Sequence, residues 1–335
     1  MIKNQWYVVL ESKQVKNKPI GVTRLSEKLV FWRDSSQKVN CAFDRCPHRS
    51  AQLSIGDIHN DHLRCPFHGF EYDQNGACQL IPANGRIRKP PEIMHLQTYP
   101  THEAHGFIWI WWGENPPEKL EPPIFFDNID ESFYYGSVQD PWKAHYSRVI
   151  ENQLDVAHLP FVHWNTIGRG NRTLVEGPKV EWCGEQKKML CTYVFNRVDD
   201  GTAPRKAQDL TPYDGQVHLE FIMPNLWQNF ISEKVRVLAA FVPVDDEHTI
   251  LYLRFYQKFL PVPILGKWIA QISMPSNTYI AHQDRVVVET QQPKASSLRD
   301  NNEQPIKADA PIIMYRRQRE KLKISKQEEE IKDRL

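Results

Sequence analysis

The chain has 335 residues, 25% of them charged and 41% hydrophobic, a length that allows about two domains with a core each. Lys and Arg number 42 against 41 Asp and Glu, so no basic stripe points to nucleic acid and no acidic tract to disorder. No run approaches the roughly 18 apolar residues of a membrane span, and Met1-Ile-Lys-Asn-Gln-Trp6 lacks the apolar core of a secretion signal, so the expectation is a cytoplasmic protein with no membrane and no nucleic-acid partner.

In chain order, Gln5 to Leu10, Lys28 to Arg33 and Val39 to Phe43 are short β-branched and aromatic runs with turn residues between, and predict a small antiparallel sheet. Its loops then carry Cys46-Pro47-His48-Arg49 and, after an intervening loop, Cys65-Pro66-Phe67-His68-Gly69. Each is a short claw with one Cys and one His. Zinc sites of this composition usually pair Cys with Cys and His with His. Two thiolates and two imidazoles dealt one of each to two rigid loops is the donor set of a Rieske 2Fe–2S centre, with a structural zinc site as the competing reading. His59 and His62, between the claws, read as loop histidines in solvent. Asp73-Gln74-Asn75-Gly76 signals a turn, and Gly106 to Trp112 an apolar strand that closes the domain. The stretch Glu114 to Pro123, with four prolines, suits neither helix nor sheet, which places a boundary between a first domain, 1–117, and a second, 118–335. Cys41, Cys78, Cys183 and Cys191 lack framework spacing and read as free thiols in a reducing compartment.

The second domain opens with a strand from Phe133 to Val138 and a helix from Trp142 to His158. Leu190 to Phe195, Val217 to Met223, Leu226 to Ile231 and Val237 to Val242 alternate as strands of one antiparallel sheet. Helical patterns return from Ile264 to Gln291 and from Ile312 onward, and the charged run from Tyr315-Arg316-Arg317 to Leu335 reads as a solvated terminal helix or tail. On the first helix Asn152, Asp155 and His158 share one stripe, and His163 joins it only if Pro160 bends the backbone. Two histidines and a carboxylate make the facial triad of a non-haem Fe(II) oxygenase. Asp284 is the candidate carboxylate, with Glu289 in competition, and a one-electron cluster upstream calls for such an acceptor downstream. Between Phe221 and Phe230 one alternating face, Phe221, Met223, Asn225, Trp227 and Asn229, is a candidate wall for a small, partly polar substrate.

Taken together, the two claws, Asn152-x2-Asp155-x2-His158-x4-His163, Gln283-Asp284 and Tyr315-Arg-Arg317 fall in the order of one family. Across essentially its whole length the chain resembles the oxygenase α subunits of Rieske non-haem iron oxygenases, especially the monooxygenase and demethylase branch with a single subunit type. The resemblance implies an α+β fold: a small antiparallel Rieske β domain, then a helix-grip catalytic domain whose sheet wraps a helix. It implies a 2Fe–2S cluster on Cys46, His48, Cys65 and His68, a mononuclear iron on His158, His163 and Asp284 rather than Glu289, and Asn152 close to that iron. Asp155 matches the residue that bridges the cluster of one subunit to the iron of its neighbour in a homotrimer. The implied activity is that of a terminal oxygenase, which uses O2 to hydroxylate or oxidatively demethylate a small organic molecule. Electrons would come from NAD(P)H through a separate reductase, with or without a ferredoxin, since the chain has no Gly-x-Gly-x-x-Gly turn of its own. Phe70 stands where the family usually has Trp, and the claws lack the extra cysteines of respiratory Rieske proteins. The alternatives are a Rieske-type electron carrier, which needs only the first hundred or so residues, and a sensor that has lost turnover.

Overall fold

The computed structural model describes every residue except 115, 185–186, 299–302 and 333–335, and of 324–332 the backbone alone. It divides into two compact units, one of residues 1–123 with 243–245, the other of 124–242 with 246–335. The first therefore runs to the end of the proline-rich stretch, past the expected break at 117, and takes in a turn from the middle of the chain.

Among the described residues, the first unit holds ten strands in three antiparallel sheets. β1 (Gln5–Glu11) pairs with β10 (Phe107–Trp112) and β10 with β9 (Thr101–Ala104), while β2 (Ile20–Arg24), β3 (Glu27–Arg33) and β4 (Val39–Phe43) form a meander. The third sheet joins β5 (Asp57–His59), β6 (His62–Arg64), β7 (Glu71–Tyr72) and β8 (Cys78–Leu80). β3 explains its own unbroken apolar run: Leu29 and Phe31 enter one core, with Tyr7 and Ile110, while Val30 and Trp32 enter another, with Cys46, Cys65 and Tyr72. A strand buried on both faces has no polar side to show. The second core is the floor of both claws. β5 to β9 are two to four residues long, too short to leave a periodicity in the sequence.

In the second unit one antiparallel sheet has the order β11-β17-β16-β15-β14-β13-β12. Its strands are β11 (Tyr134–Trp142), β12 (Lys179–Cys183), β13 (Met189–Tyr193), β14 (His218–Ile222), β15 (Leu226–Ser232), β16 (Val235–Pro243) and β17 (Thr249–Gln257). The helices are α1 (Tyr146–Leu154), α2 (Leu159–Val162), α3 (Pro263–Ile272), α4 (Met274–Val288) and α5 (Ala310–Lys332). α1 packs on α4 and α5, α3 and α4 on β11 and β17, and α5 on β13. An α+β fold with an antiparallel catalytic sheet is what the sequence led us to expect.

Several expectations need correction. The helix begins at Tyr146, because Trp142 still pairs with Thr249 as the end of β11, and it stops at Leu154. The break lies at Asp155 rather than Pro160. Asp155 is extended, and its Oδ1 accepts the Ala157 N–H at 2.6 Å, a local bond that competes with the helix. Pro160 instead sits in the first turn of α2, where a missing N–H costs nothing. The later helical stretch likewise divides at Ser273, with Pro275 in the first turn of α4. Cys183 and Cys191 are joined in a disulfide: their strands pair with Cys183 opposite Met189, so the two cysteines lie diagonally on one face. The start of the charged C-terminal run is core rather than solvated tail, with Tyr315 fully buried and Arg316 and Arg319 buried against acceptors on other segments. His59 and His62 lie against the buried Glu71 carboxylate, His59 Nδ1 at 2.8 Å, rather than in open solvent.

Candidate metal centres

The two claws are the same loop made twice. In the first, the Cys46 N–H donates to the Ala51 carbonyl and the Ser50 N–H to the Cys46 carbonyl. In the second, the Cys65 N–H donates to the Phe70 carbonyl and the Gly69 N–H to the Cys65 carbonyl. The fifth residue of each has positive φ, 60° at Ser50 and 70° at Gly69, which turns the chain back sharply. Each claw buries its cysteine and leaves its histidine exposed. The rings of His48 and His68 stand 4.8 Å apart, and Phe70 stacks on His48 at 4.7 Å, so Phe in place of the usual Trp still packs a ring on the claw. Burial, and after it the neighbouring Cys46 sulfur, pushes the Cys65 thiol above its ordinary value. Two buried sulfurs side by side with two imidazoles above them fit a 2Fe–2S cluster bound by two thiolates and two histidines. Tyr72, which sequence reasoning passed over, places its hydroxyl 3.2 Å from Cys46 Sγ.

The second site draws on two helices. His158 is the N-cap and His163 the C-cap of α2, and Asp284 comes from the buried face of α4. Donor atoms of the three lie within 4.8 Å of one another, the one such group found among the described residues. His163 Nε2 and His158 Nε2 are 3.0 and 3.4 Å from Asp284 Oδ1, yet that buried oxygen makes no aligned hydrogen bond. An orphaned carboxylate oxygen facing two ring nitrogens is the arrangement a shared cation satisfies, and the donor types fit Fe(II). Burial works against charging His158, but the carboxylates of Asp155 and Asp284 outweigh it and raise its pKa to about 9. Burial also works against the Asp284 carboxylate, and the two imidazoles outweigh it, holding its pKa below the usual value.

Supporting groups fix the rings. His163 Nδ1 meets Gln283 Oε1 at 3.0 Å, Gln283 accepts from the Thr166 hydroxyl, and its amide donates to Asn165. Gln153 Nε2 donates to Asp284 Oδ2 at 3.2 Å. Of these only Gln283 left a mark in the sequence, as Asp284's neighbour. Asp155 Oδ2 lies 3.5 Å from His158 Nδ1. Asn152 has a buried Nδ2 without a partner. Both line a cavity of about 400 Å3 that also reaches His158, Arg148, Glu303 and Asp309. Glu289 accepts the Lys143 N–H at the end of α4 and is outside the metal-ligand group.

The alternating stretch is brought together only in part. Phe221 on β14 pairs with Trp227 on β15, Asn229 follows on the same face, and Phe221 meets Tyr315 of α5 edge-on at 5.4 Å. Met223 and Asn225 belong to the hairpin turn, where the Asn225 amide donates to the Phe241 carbonyl and ties the turn to β16. Trp227 Nε1, Asn229 Oδ1 and, one strand beyond Leu219, Thr192 Oγ1 are buried without hydrogen-bond partners on that face.

Comparison with known sequences matches residues 5–100 to the Rieske 2Fe–2S domain and 142–323 to the vanillate O-demethylase oxygenase C-terminal domain. The putative toluene-4-sulfonate monooxygenase system iron-sulfur subunit TsaM2 of Comamonas testosteroni is 34% identical over 50% of this chain and 48% of its own length. The oxygenase component of dicamba O-demethylase from Stenotrophomonas maltophilia is 33% identical over 48% of each. The alignments thus span about half the length of these relatives. Among solved structures, NdmA of Pseudomonas putida CBB5 superposes with a TM-score of 0.77 at 24% identity, over 97% of this chain and 92% of that one.

Proposed function

Since the chain belongs to the Rieske non-haem iron oxygenases with a vanillate O-demethylase-type catalytic domain, we propose that it is the terminal oxygenase of a multicomponent system acting on a small organic substrate. The observation that carries this reading is the convergence of His158, His163 and Asp284 in the second unit of a chain whose first unit carries the twin claws. Cys46, His48, Cys65 and His68 would hold the cluster, and the three-residue set the iron. When bound, these groups supply one-electron storage and activation of O2. The reductase, and a ferredoxin if one intervenes, are separate proteins, and NAD(P)H acts only through them.

The chain's own residues supply positions and exclude water. Gln283 holds the imidazole of His163 from behind, through Nδ1, and the Asp155 carboxylate stands 3.5 Å behind Nδ1 of His158, so that both Nε2 atoms face Asp284. In a homotrimeric ring Asp155 would link His158 to a cluster histidine of the next chain, and the cavity at Asp155 leaves room for that approach. The substrate would lie against Trp227, Asn229 and Thr192, whose unpartnered polar atoms suit a molecule with both an apolar body and a hydrogen-bonding group. The chemistry would be hydroxylation or oxidative demethylation.

The test sets Asp284→Ala against Glu289→Ala. The first should keep the red-brown cluster spectrum and lose the mononuclear iron and all substrate-dependent O2 consumption with a surrogate reductase. The second should keep all three. A colourless protein with one zinc per chain, or an active Asp284→Ala variant, would overturn the proposal.

A further inference from the structure

α4 carries Asp284, yet apolar packing leaves open which way α4 faces. Between Met274 and Val288 its only buried side chains are those of Ala281 and Asp284, while Val286 and Val287 stand exposed. A helix without large buried apolar side chains along the middle of its stripe lacks the ridges that normally key its rotation. Just before it, α3 lies tightly on β11: a Cβ added at Gly136 would stand 2.4 Å from the Ala270 carbonyl oxygen, and the Ser137 N–H donates to Gln271 Oε1 at 3.2 Å. That close approach fixes where α4 starts, but not its rotation at Asp284.

The polar ties are gathered where the rotation matters. β11 presents Asp140, a buried carboxylate, to one flank of α4. Arg285 Nη1 donates to Asp140 Oδ1 at 2.8 Å, and His282 Nε2 stands 3.1 Å from Oδ2. The carboxylate is itself held from its own strand by the Trp142 indole N–H, 2.8 Å from Oδ2, and Trp142 is buried at the end of β11 opposite Thr249. At about 100° per residue, positions 282 and 285 share one flank of the helix, 283 falls on the other, and 284 lies between them. Gln283 meets His163 and Thr166, Asp284 faces both imidazoles, and the residues on either side of this pair grip β11.

We propose that Asp140 is the positioning residue that sets the rotation of α4, and through it the place of the Asp284 and Gln283 side chains, which rests on the reading of that site as an iron centre and deepens it. Asp140 lies outside the ligand group itself. A side chain reaches about 5–6 Å from a helix axis, so a turn of about 10° moves the Asp284 carboxylate by about 1 Å, enough to spoil a ligand set that needs placement within about 0.5 Å. A buried carboxylate hydrogen-bonded on both oxygens cannot swing to follow a turning helix, so the helix is held to it.

The experiment uses the full chain with its cluster oxidised and Co(II) in place of mononuclear iron. Affinity is read in competition with a chelator, and ligand geometry from the Co(II) EPR signal, to which the oxidised cluster is silent. Arg285→Leu and Asp140→Ala should each weaken Co(II) binding by roughly 10–100-fold and shift the signal, with the cluster spectrum unchanged. The double variant should be no worse than the more affected single one, since both remove the same tie. Arg285→Lys, which can still donate to Asp140, should recover most of the affinity. Asp140→Ala also strands the Trp142 N–H; should it fail to fold, Arg285→Leu, at a part-exposed site, decides alone. Folded variants with a lower melting temperature but wild-type affinity and signal would make Asp140 a tie of the fold only and overturn the proposal, as would additive losses in the double variant. A wild-type chain that takes up neither Fe(II) nor Co(II) would instead sink the iron-site reading beneath it.

Discussion

The claws and the three-residue site are assembled in opposite ways. The four cluster donors lie within 23 consecutive residues, Cys46 to His68, and each pair is fixed by two backbone hydrogen bonds within its own loop. The iron donors span His158 to Asp284: a four-residue helix after the break carries His158 and His163 at its two ends, and a separate, distant helix supplies Asp284. The claw geometry is therefore a local property that survives distant change. The iron site depends on how α4 lies against α1, and hence on the packing of the whole second unit.

That contrast predicts asymmetric failure. Cys46→Ala with Cys65→Ala should abolish colour and turnover yet leave mononuclear iron bound, and Asp284→Ala should do the reverse, as visible spectra and iron analysis will read. Co-expressed into mixed rings, the two dead variants should regain part of the activity, because an intact cluster would adjoin an intact iron in the next chain. Asp155→Ala in the iron-bearing partner should remove the rescue with both metals still bound. Verified mixed rings with no activity would confine electron flow to one chain.

A smaller effect should follow from loosening the iron site's supports alone. Gln283→Leu removes the acceptor that faces His163 Nδ1 and the Thr166 hydroxyl. Iron affinity in competition with a chelator should fall by roughly 10–100-fold, with the cluster spectrum unchanged. Unaltered affinity would mean that packing, and not this hydrogen bond, orients the ring.

The same contrast governs what could be read from the amino-acid order. The claws, the turn at Asp73–Gly76 and most of the longer strands, though not β17, were legible because spacing and alternation are local signals. The α+β class was implied by the family resemblance that those motifs carry. The break at Asp155 was misplaced to Pro160, because an aspartate that bonds its own backbone leaves no mark as loud as proline. The face shared by Phe221, Trp227 and Asn229 was legible, as were the two strands that carry it, but the alternation wrongly carried Met223 and Asn225 of the hairpin turn onto that face. Thr192 was out of reach, since it joins that face through cross-strand pairing alone. Gln153 and Thr166 were hidden for a similar reason: their partners lie more than a hundred residues away. The disulfide and the buried Tyr315 likewise depend on partners that spacing does not reveal.

The second unit also carries a pH liability of its own. His145 caps α1, its Nδ1 accepting the Ser147 N–H, and burial, followed by the Arg319 charge, lowers its pKa to about 3. A base whose folded pKa is depressed stabilises the fold above its unfolded value of about 6.5, and that stability is lost as pH falls from there toward 3. The loss approaches about 1.4 kcal/mol per pH unit within that window. His145→Asn retains a capping group and cannot titrate, so the chemical-denaturation midpoint of the variant should fall less steeply between about pH 6 and 4. Parallel slopes for both proteins would place the acid sensitivity elsewhere.

The smallest expected effect lies at the claws, where local construction leaves few outside contacts to perturb. Tyr72 is fully buried, and its hydroxyl is 3.2 Å from Cys46 Sγ. Burial, and then the nearby sulfur, pushes its pKa up, so the phenol stays protonated and donates to a cysteine that is a thiolate when it holds iron. A hydrogen bond to that sulfur strengthens as the cluster gains negative charge, so it favours the reduced state and raises the potential. Tyr72→Phe keeps the ring in the core and removes only the donor. If the bond differs by about 1 kcal/mol between oxidation states, the potential should drop by on the order of 40 mV for a one-electron couple. Cluster content and claw geometry should stay as they are, since Tyr72 takes no part in the paired backbone bonds of either loop. Spectroelectrochemical titration will read the shift, and an unchanged or raised potential would mean that the Tyr72 hydroxyl does not bond the cluster sulfur.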